Sequence, residues 1–112
     1  MSEAASHNRE ELAEAIDDIV ALLKRFGEAE WSTILARDSA LIRSGDFYGV
    51  ERFLRAFGGM GSLNDLVLTG FGDLIVKPSD SSEINSMLST LRGRAYAIAR
   101  DLAREFEREH GA

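Results

Sequence analysis

Apolar residues recur at helical spacing in four stretches of the chain, and one stretch between them breaks the pattern. At 100° per residue, Leu12, Ile16, Ile19, Val20, Leu23 and Phe26 gather on one side, while Glu10, Glu14 and Asp17 fall opposite with Asp18 beside them. This predicts an amphipathic helix over about residues 9–26. Asn8-Arg9-Glu10-Glu11 has the form of a capping box, with Asn8 as N-cap and Glu11 reaching back. Gly27 suits the left-handed position past the helix end, and Met1–His7 reads as a frayed tail. A second helix over about 29–43 is expected to bury Trp31, Ile34, Leu35, Leu41 and Ile42 before Ser44-Gly45 stops it. A third, about 47–57 and capped by Asp46, turns Phe47, Val50, Phe53, Leu54 and Phe57 inward. Glu51 and Arg55 form an i,i+4 pair outside, and Gly49 weakens the first turn.

The periodicity then changes. Leu66-Val67-Leu68-Thr69 and Leu74-Ile75-Val76-Lys77 are short β-prone runs around Gly70-Phe71-Gly72-Asp73, which fits a small hairpin or an extended loop leaning on the helices. Lys77-Pro78 excludes helix locally. Asp80-Ser81-Ser82-Glu83 is a second capping box, with Asp80 as N-cap of a helix over about 81–109. Ile84, Met87, Leu88, Leu91, Ala95, Ile98, Leu102 and Phe106 form its stripe, and Gly93 on the flank marks a place where a neighbouring backbone can pack close. The fold class is mainly α, α+β at most. About four helices, with a short β-hairpin or extended loop before the long C-terminal one, make a single domain over 9–109 between tails 1–8 and 110–112.

A chain of 112 residues suffices for one core, and the absence of cysteine excludes disulfides and zinc–thiolate sites. The net charge of −6 is unevenly spread. Residues 1–30 carry eight acids and three bases, residues 31–80 six and five, and residues 81–112 five and five. That balance argues against nucleic acid as partner, since phosphates need a basic footprint, although Arg43, Arg52 and Arg55 make a local basic group. No apolar run approaches the roughly 20 residues of a membrane span, and Met1–Arg9 lacks signal-peptide character, so a cytoplasmic protein without membrane contact is expected.

Candidate chemistry is sparse. Successive N–H groups in the loop containing Gly58, Gly59, Gly61 and Ser62 could form an anion nest, but the lysine of a P-loop is missing. The same glycines also serve turn geometry, with Asn64 and Asp65 bonding to nearby backbone. The stretch Ala56-Phe57-Gly58-Gly59-Met60-Gly61-Ser62-Leu63-Asn64-Asp65-Leu66-Val67-Leu68, with Trp31 upstream, resembles the signature of a family of small bacterial proteins known only as a domain of unknown function. The resemblance covers those residues alone. It implies a bacterial source, no established activity and no catalytic residue to carry over.

Asp38 lies on the apolar arc of the second helix, so its carboxylate must be bonded, paired or neutralised. It serves either as a structural acceptor, for example toward an arginine, or as a general base or cation ligand in a pocket. His7 and His110 sit in the expected tails, and Asn64, Asp65 and Asp73 do not follow calcium-loop spacing, so no metal or cofactor is expected. Glu10, Glu14, Asp17 and Asp18 repel one another on one helical face for no folding reason, which makes them either a solubility device or complementary to a basic protein partner. These readings leave two function classes. One is a non-catalytic protein-binding module, of which a toxin-neutralising immunity protein is the narrower form. The other is a small-ligand binder or weak enzyme using Asp38 and the 58–65 loop.

Overall fold

The computed structural model describes residues 3–57, 62–68 and 76–110. Among these, all regular structure is helical: α1 (Glu3–Arg25), α2 (Ala29–Arg43), α3 (Tyr48–Arg55) and α4 (Ser81–His110), with short 3-10 turns at Leu63–Asp65 and Pro78–Asp80. α1 is the central element, packed on α2 along one side and α4 along another, while α3 bridges α2 and α4.

α1 begins at Glu3, earlier than the capping pattern suggests, and runs straight through Asn8. Ala4 and Ala5 are strong helix formers, so nothing in the local sequence favours stopping at Asn8. The predicted stripe is buried, with Phe26 partly so, and Ala13, Ala15 and Leu22 are buried as well. A helix that touches neighbours on two sides buries a wider arc than one stripe. α1 and α2 each close with a glycine at positive φ, Gly27 at 84° and Gly45 at 88°. In both cases the next two amides turn back: Gly27 N–H bonds to Lys24 O and Glu28 N–H to Leu23 O, then Gly45 N–H to Ile42 O and Asp46 N–H to Leu41 O.

The seam that α2 buries is the expected one only at Leu35 and Ile42. Ser32, Leu35, Ser39 and Ile42 are buried at 3-4-3 spacing, whereas Trp31, Ile34 and Leu41 are only partly covered. Two small serines let α2 approach α1; the Ser32 hydroxyl donates to Ala29 O at 3.0 Å, and the Ser39 hydroxyl to Asp17 Oδ1 at 2.7 Å with Ala13 O beside it at 3.3 Å. α3 starts one residue later than expected, with Phe47 at the N-cap position, and Asp46 just before it accepts Tyr48 N–H at 2.9 Å. Val50 and Phe53 are fully buried, and Phe47 stacks on Phe106 of α4 with centroids 3.9 Å apart.

Leu66–Leu68 takes no strand partner among the described residues. Asn85 of α4 replaces one, accepting Leu68 N–H at 2.7 Å and donating to Leu68 O at 2.8 Å. The extended-loop alternative therefore holds there, and residues 69–75, with the turn of the proposed hairpin, lie outside the described residues. Asp80 is not an N-cap. It sits inside the 3-10 turn that Pro78 opens, and the extended residue before that turn is Lys77. Proline at the first helical position starts the helical path one turn early.

On α4, Ile84, Leu88, Ala95, Ala99 and Leu102 are buried. Met87, at the edge of their arc, is exposed. Gly93 marks no close packing, because a Cβ there would meet nothing within 4 Å. Gly93→Ala should therefore raise stability by about 0.5–1 kcal/mol through helix propensity and a less flexible unfolded chain, seen as a higher thermal midpoint. An unchanged or lower midpoint would mean that a neighbour does cover this flank. No helix among the described residues is long and apolar enough to cross a membrane.

Candidate functional site

The acidic face of α1 is only partly free. Arg43 of α2 reaches across to it, with Nη1 2.6 Å from Asp17 Oδ2 and Nε 3.3 Å from Glu10 Oε1. Ser39 completes the group: its hydroxyl lies 2.7 Å from Asp17 Oδ1 and accepts from Arg43 Nη1 at 3.1 Å. These carboxylates hold the Arg43 guanidinium above its ordinary pKa, the Asp17 hydrogen bond first. Arg94 of α4 stands 3.8 Å from Asp18. Such exposed pairs contribute at most about 1 kcal/mol each. Glu14 is exposed and makes no ion pair among the described residues. Glu10, Glu14, Asp17 and Asp18 thus face Arg43 and Arg94, four negative charges against two positive.

Asp38 is 1% exposed at the contact of α2 with α3. Its carboxylate lies 3.3 Å from Arg52 Nε, close enough to pair, though Oδ1 takes no well-aligned hydrogen bond. Burial pushes the carboxyl up to about 6, opposed by the charges of Arg52 and Arg37. Of the roles open to Asp38, the structure shows the pairing with an arginine. Gly49 is what makes this contact possible: a Cβ there would stand 2.9 Å from Asp38 O, Ile42 Cγ1 and Leu41 Cβ. The glycine that weakens α3 locally lets it seat on α2.

Around Arg52 the surface of α3 is aromatic and basic. Tyr48 is 49% exposed, and the guanidinium carbons of Arg52 and Arg55 lie over its ring at 5.7 and 5.5 Å. The expected Glu51–Arg55 ion pair does not form among the described residues. Arg55 Nε points to Glu51 O at 3.5 Å while its guanidinium covers Tyr48.

Gly58, Gly59 and Gly61 lie outside the described residues. Beyond them Ser62 is buried and Leu63–Asp65 forms a 3-10 turn, with Asn64 and Asp65 exposed. Arg92 of α4 supports this turn, donating from Nη1 to Leu63 O and Leu66 O, both at 2.9 Å. Burial lowers the pKa of Arg92, against the charge of Asp65. A shallow groove of about 350 Å³ opens beside it, lined by Phe57, Asn64, Ser89, Arg92, Gly93 and Tyr96. Asp38 does not line this groove, and of the described residues of the 58–65 loop only Asn64 does. Among the described residues, no three His, Asp or Glu side chains gather as a metal ion would require. The sequence pattern signals Arg43, Arg52 and Arg55 only as a local basic group, and it signals neither Ser39 and Arg92 nor the place of Tyr48 beside two of those arginines. The i,i+4,i+7 spacing of Tyr48, Arg52 and Arg55 is the clue that places the three on one side of a helix.

A family model described as a domain of unknown function (DUF6966) matches residues 24–76. The matched span takes in α2, α3, Asp38 and the stretch 56–68, and it leaves out most of α1 and all of α4. No curated protein and no solved structure matches the chain.

Proposed function

We propose that the protein is a non-catalytic binding module that engages the basic surface of another protein through the outer face of α1. The narrower form of this reading is an immunity protein that neutralises a toxin by covering it. The observation that supports it is the charge left over on that face, four carboxylates against two arginines, with Glu14 exposed and unpaired among the described residues. Folding gains nothing from Glu14 between Glu10 and Asp18, whereas a cationic surface gains field-steered encounter. A second reading, a small-ligand binder or weak enzyme using Asp38 and the 58–65 loop, draws support from the raised carboxyl pKa, since catalytic acids and bases are often perturbed in this way. Against it stand the near-complete burial of Asp38 and its pairing with Arg52.

The test begins with affinity capture from the source cell, then measures association rates of the captured partner at two ionic strengths. Glu14→Lys is the suitable variant, because Asp17 is tied to Ser39 and Arg43 and its reversal would disturb the α1–α2 contact. Association should slow severalfold in the variant and fall with salt in the parent. Equal rates and no salt dependence would reduce the acidic face to a solubility device.

A further inference from the structure

We infer that the cleft between α3 and the C-terminal turns of α4 is a docking site for a segment of another protein, one that carries an aliphatic side chain beside lysine or arginine. Its apolar walls are Phe47 and Val50 on one side and Leu102 and Phe106 of α4 on the other, and Arg9, Glu105 and Glu109 complete the lining. Phe106 is held between two rings, Phe47 at 3.9 Å and His110 at 4.1 Å, so this wall is in place before anything binds. The space measures about 40 Å³. A water needs only about 10–15 Å³, but it also needs two to four polar partners, which these four walls do not supply. The tip of an aliphatic side chain needs none and gains by leaving water.

Charge selects the rest of the occupant. Two carboxylates and one guanidinium line the cleft, an excess of one negative charge. Arg9 is also drawn aside toward the carbonyl end of α2, which attracts a cation. Its Nη1 would stand 2.8 Å from a Cβ on Gly45, and its Nε is buried without a hydrogen-bond partner. Glu109 is exposed and Glu105 half-buried, and neither forms an ion pair among the described residues. Glu109 stands in the last turn of α4, where the helix dipole disfavours an acid, so the helix itself gives no reason for it. The two carboxylates are one turn apart, about 6 Å, a spacing that receives cations on either side of an apolar anchor. The same carboxylates repel nucleic acid and anionic lipid. A free amine fits less well, since pockets that enclose small molecules measure about 300 Å³ or more. A second copy would bring a net charge of −6 to an acidic cleft.

Titrating the full chain into a fluorescein-labelled peptide with one leucine among lysines, followed by anisotropy at low salt, should give saturable binding. A peptide with serine in place of leucine should bind at least roughly tenfold more weakly, because the gain in the cleft is apolar. The Glu105→Gln, Glu109→Gln double variant should lose affinity severalfold along with much of the salt dependence. Its thermal midpoint should stay at or above that of the parent, which verifies the fold. Glu14→Lys should keep the preference for leucine over serine, which separates the cleft from the face of α1. Absence of saturable binding at millimolar protein overturns the proposal. Equal binding of the two peptides overturns the cleft as the anchor site, as does loss of the leucine preference in Glu14→Lys. An unaffected double variant overturns selection by charge. Displacement of the peptide by n-butylammonium at equal concentration overturns the choice of a protein segment. Self-association seen in sedimentation and abolished in the double variant overturns it in favour of a second copy.

Discussion

Gly49→Ala should lower the thermal midpoint by several degrees, although alanine is the better helix former by about 1 kcal/mol. The added Cβ would stand 2.9 Å from Asp38 O, from Leu41 Cβ and from Ile42 Cγ1. The first two belong to or adjoin the α2 backbone and cannot swing aside, so α3 must back away from α2. Overpacking of this kind costs about 1–3 kcal/mol, and separating the helices also disturbs the burial of Val50 and Phe53. The loss should outweigh the gain in propensity. Parent and variant can be compared in urea and by heat, alongside Gly93→Ala, where the same substitution meets open space. Opposite signs for the two glycines are the expected result. A Gly49→Ala protein at least as stable as the parent would show that α2 and α3 are not in close contact.

Asp38 should make the protein less stable as pH rises from about 4 to about 6, opposite to the usual behaviour of a paired carboxylate. Its folded pKa is raised to about 6 from an ordinary 3.8, with burial as the main cause. Between those values the native state keeps a proton that the unfolded state has released. The stabilisation is thus fully present below the unfolded value, declines as pH rises toward the folded one, and stays lost above it. The difference corresponds to about 3 kcal/mol. Asp38→Asn keeps the shape without the titration. The gap between variant and parent should therefore widen in favour of asparagine across this window and level off near neutral pH. Other groups titrate in both proteins and largely cancel in the comparison. A constant gap from pH 4 to pH 8 would mean that Asp38 titrates alike in the folded and unfolded states. A gap that moves in favour of the parent would mean that the Arg52 pairing, rather than burial, governs this carboxylate.

Much of the architecture was legible because it follows from local physics. The bounds of α2 emerged as expected, and the ends of α1 and α2 are marked by Gly27 and Gly45, whose left-handed backbone allows the chain to turn. The stripe of α1 and the core of α3 follow from apolar residues at helical spacing. The errors at helix starts have equally local causes. Asn8 could cap but lies within a strong helix former, and Pro78 took the start that Asp80 was expected to mark. Of the candidate site, the burial of Asp38 was legible because its position on an apolar arc is a fact of periodicity.

What only the tertiary structure decided is which residues meet across helices. Ser32 and Ser39 carry no hydrophobic signal, yet they form half of the α2 seam because small residues let two helices come close. Gly49 and Gly93 look alike in sequence, and the difference between a packed backbone and empty space comes entirely from what lies opposite. Asp17 finds Arg43, Asp38 finds Arg52 and Leu68 finds Asn85 over separations that no local pattern encodes. The sequence by itself determined the helices, the apolar faces of α1 and α3 and the surplus of acid at the N-terminal end, since each depends on residues within a turn or two. Which charges remain unpaired, and which arginines reach Asp17, Asp18 and Asp38, depended on the packing of α1, α2, α3 and α4. Pairing acts through space, over a few ångströms, between segments far apart along the chain.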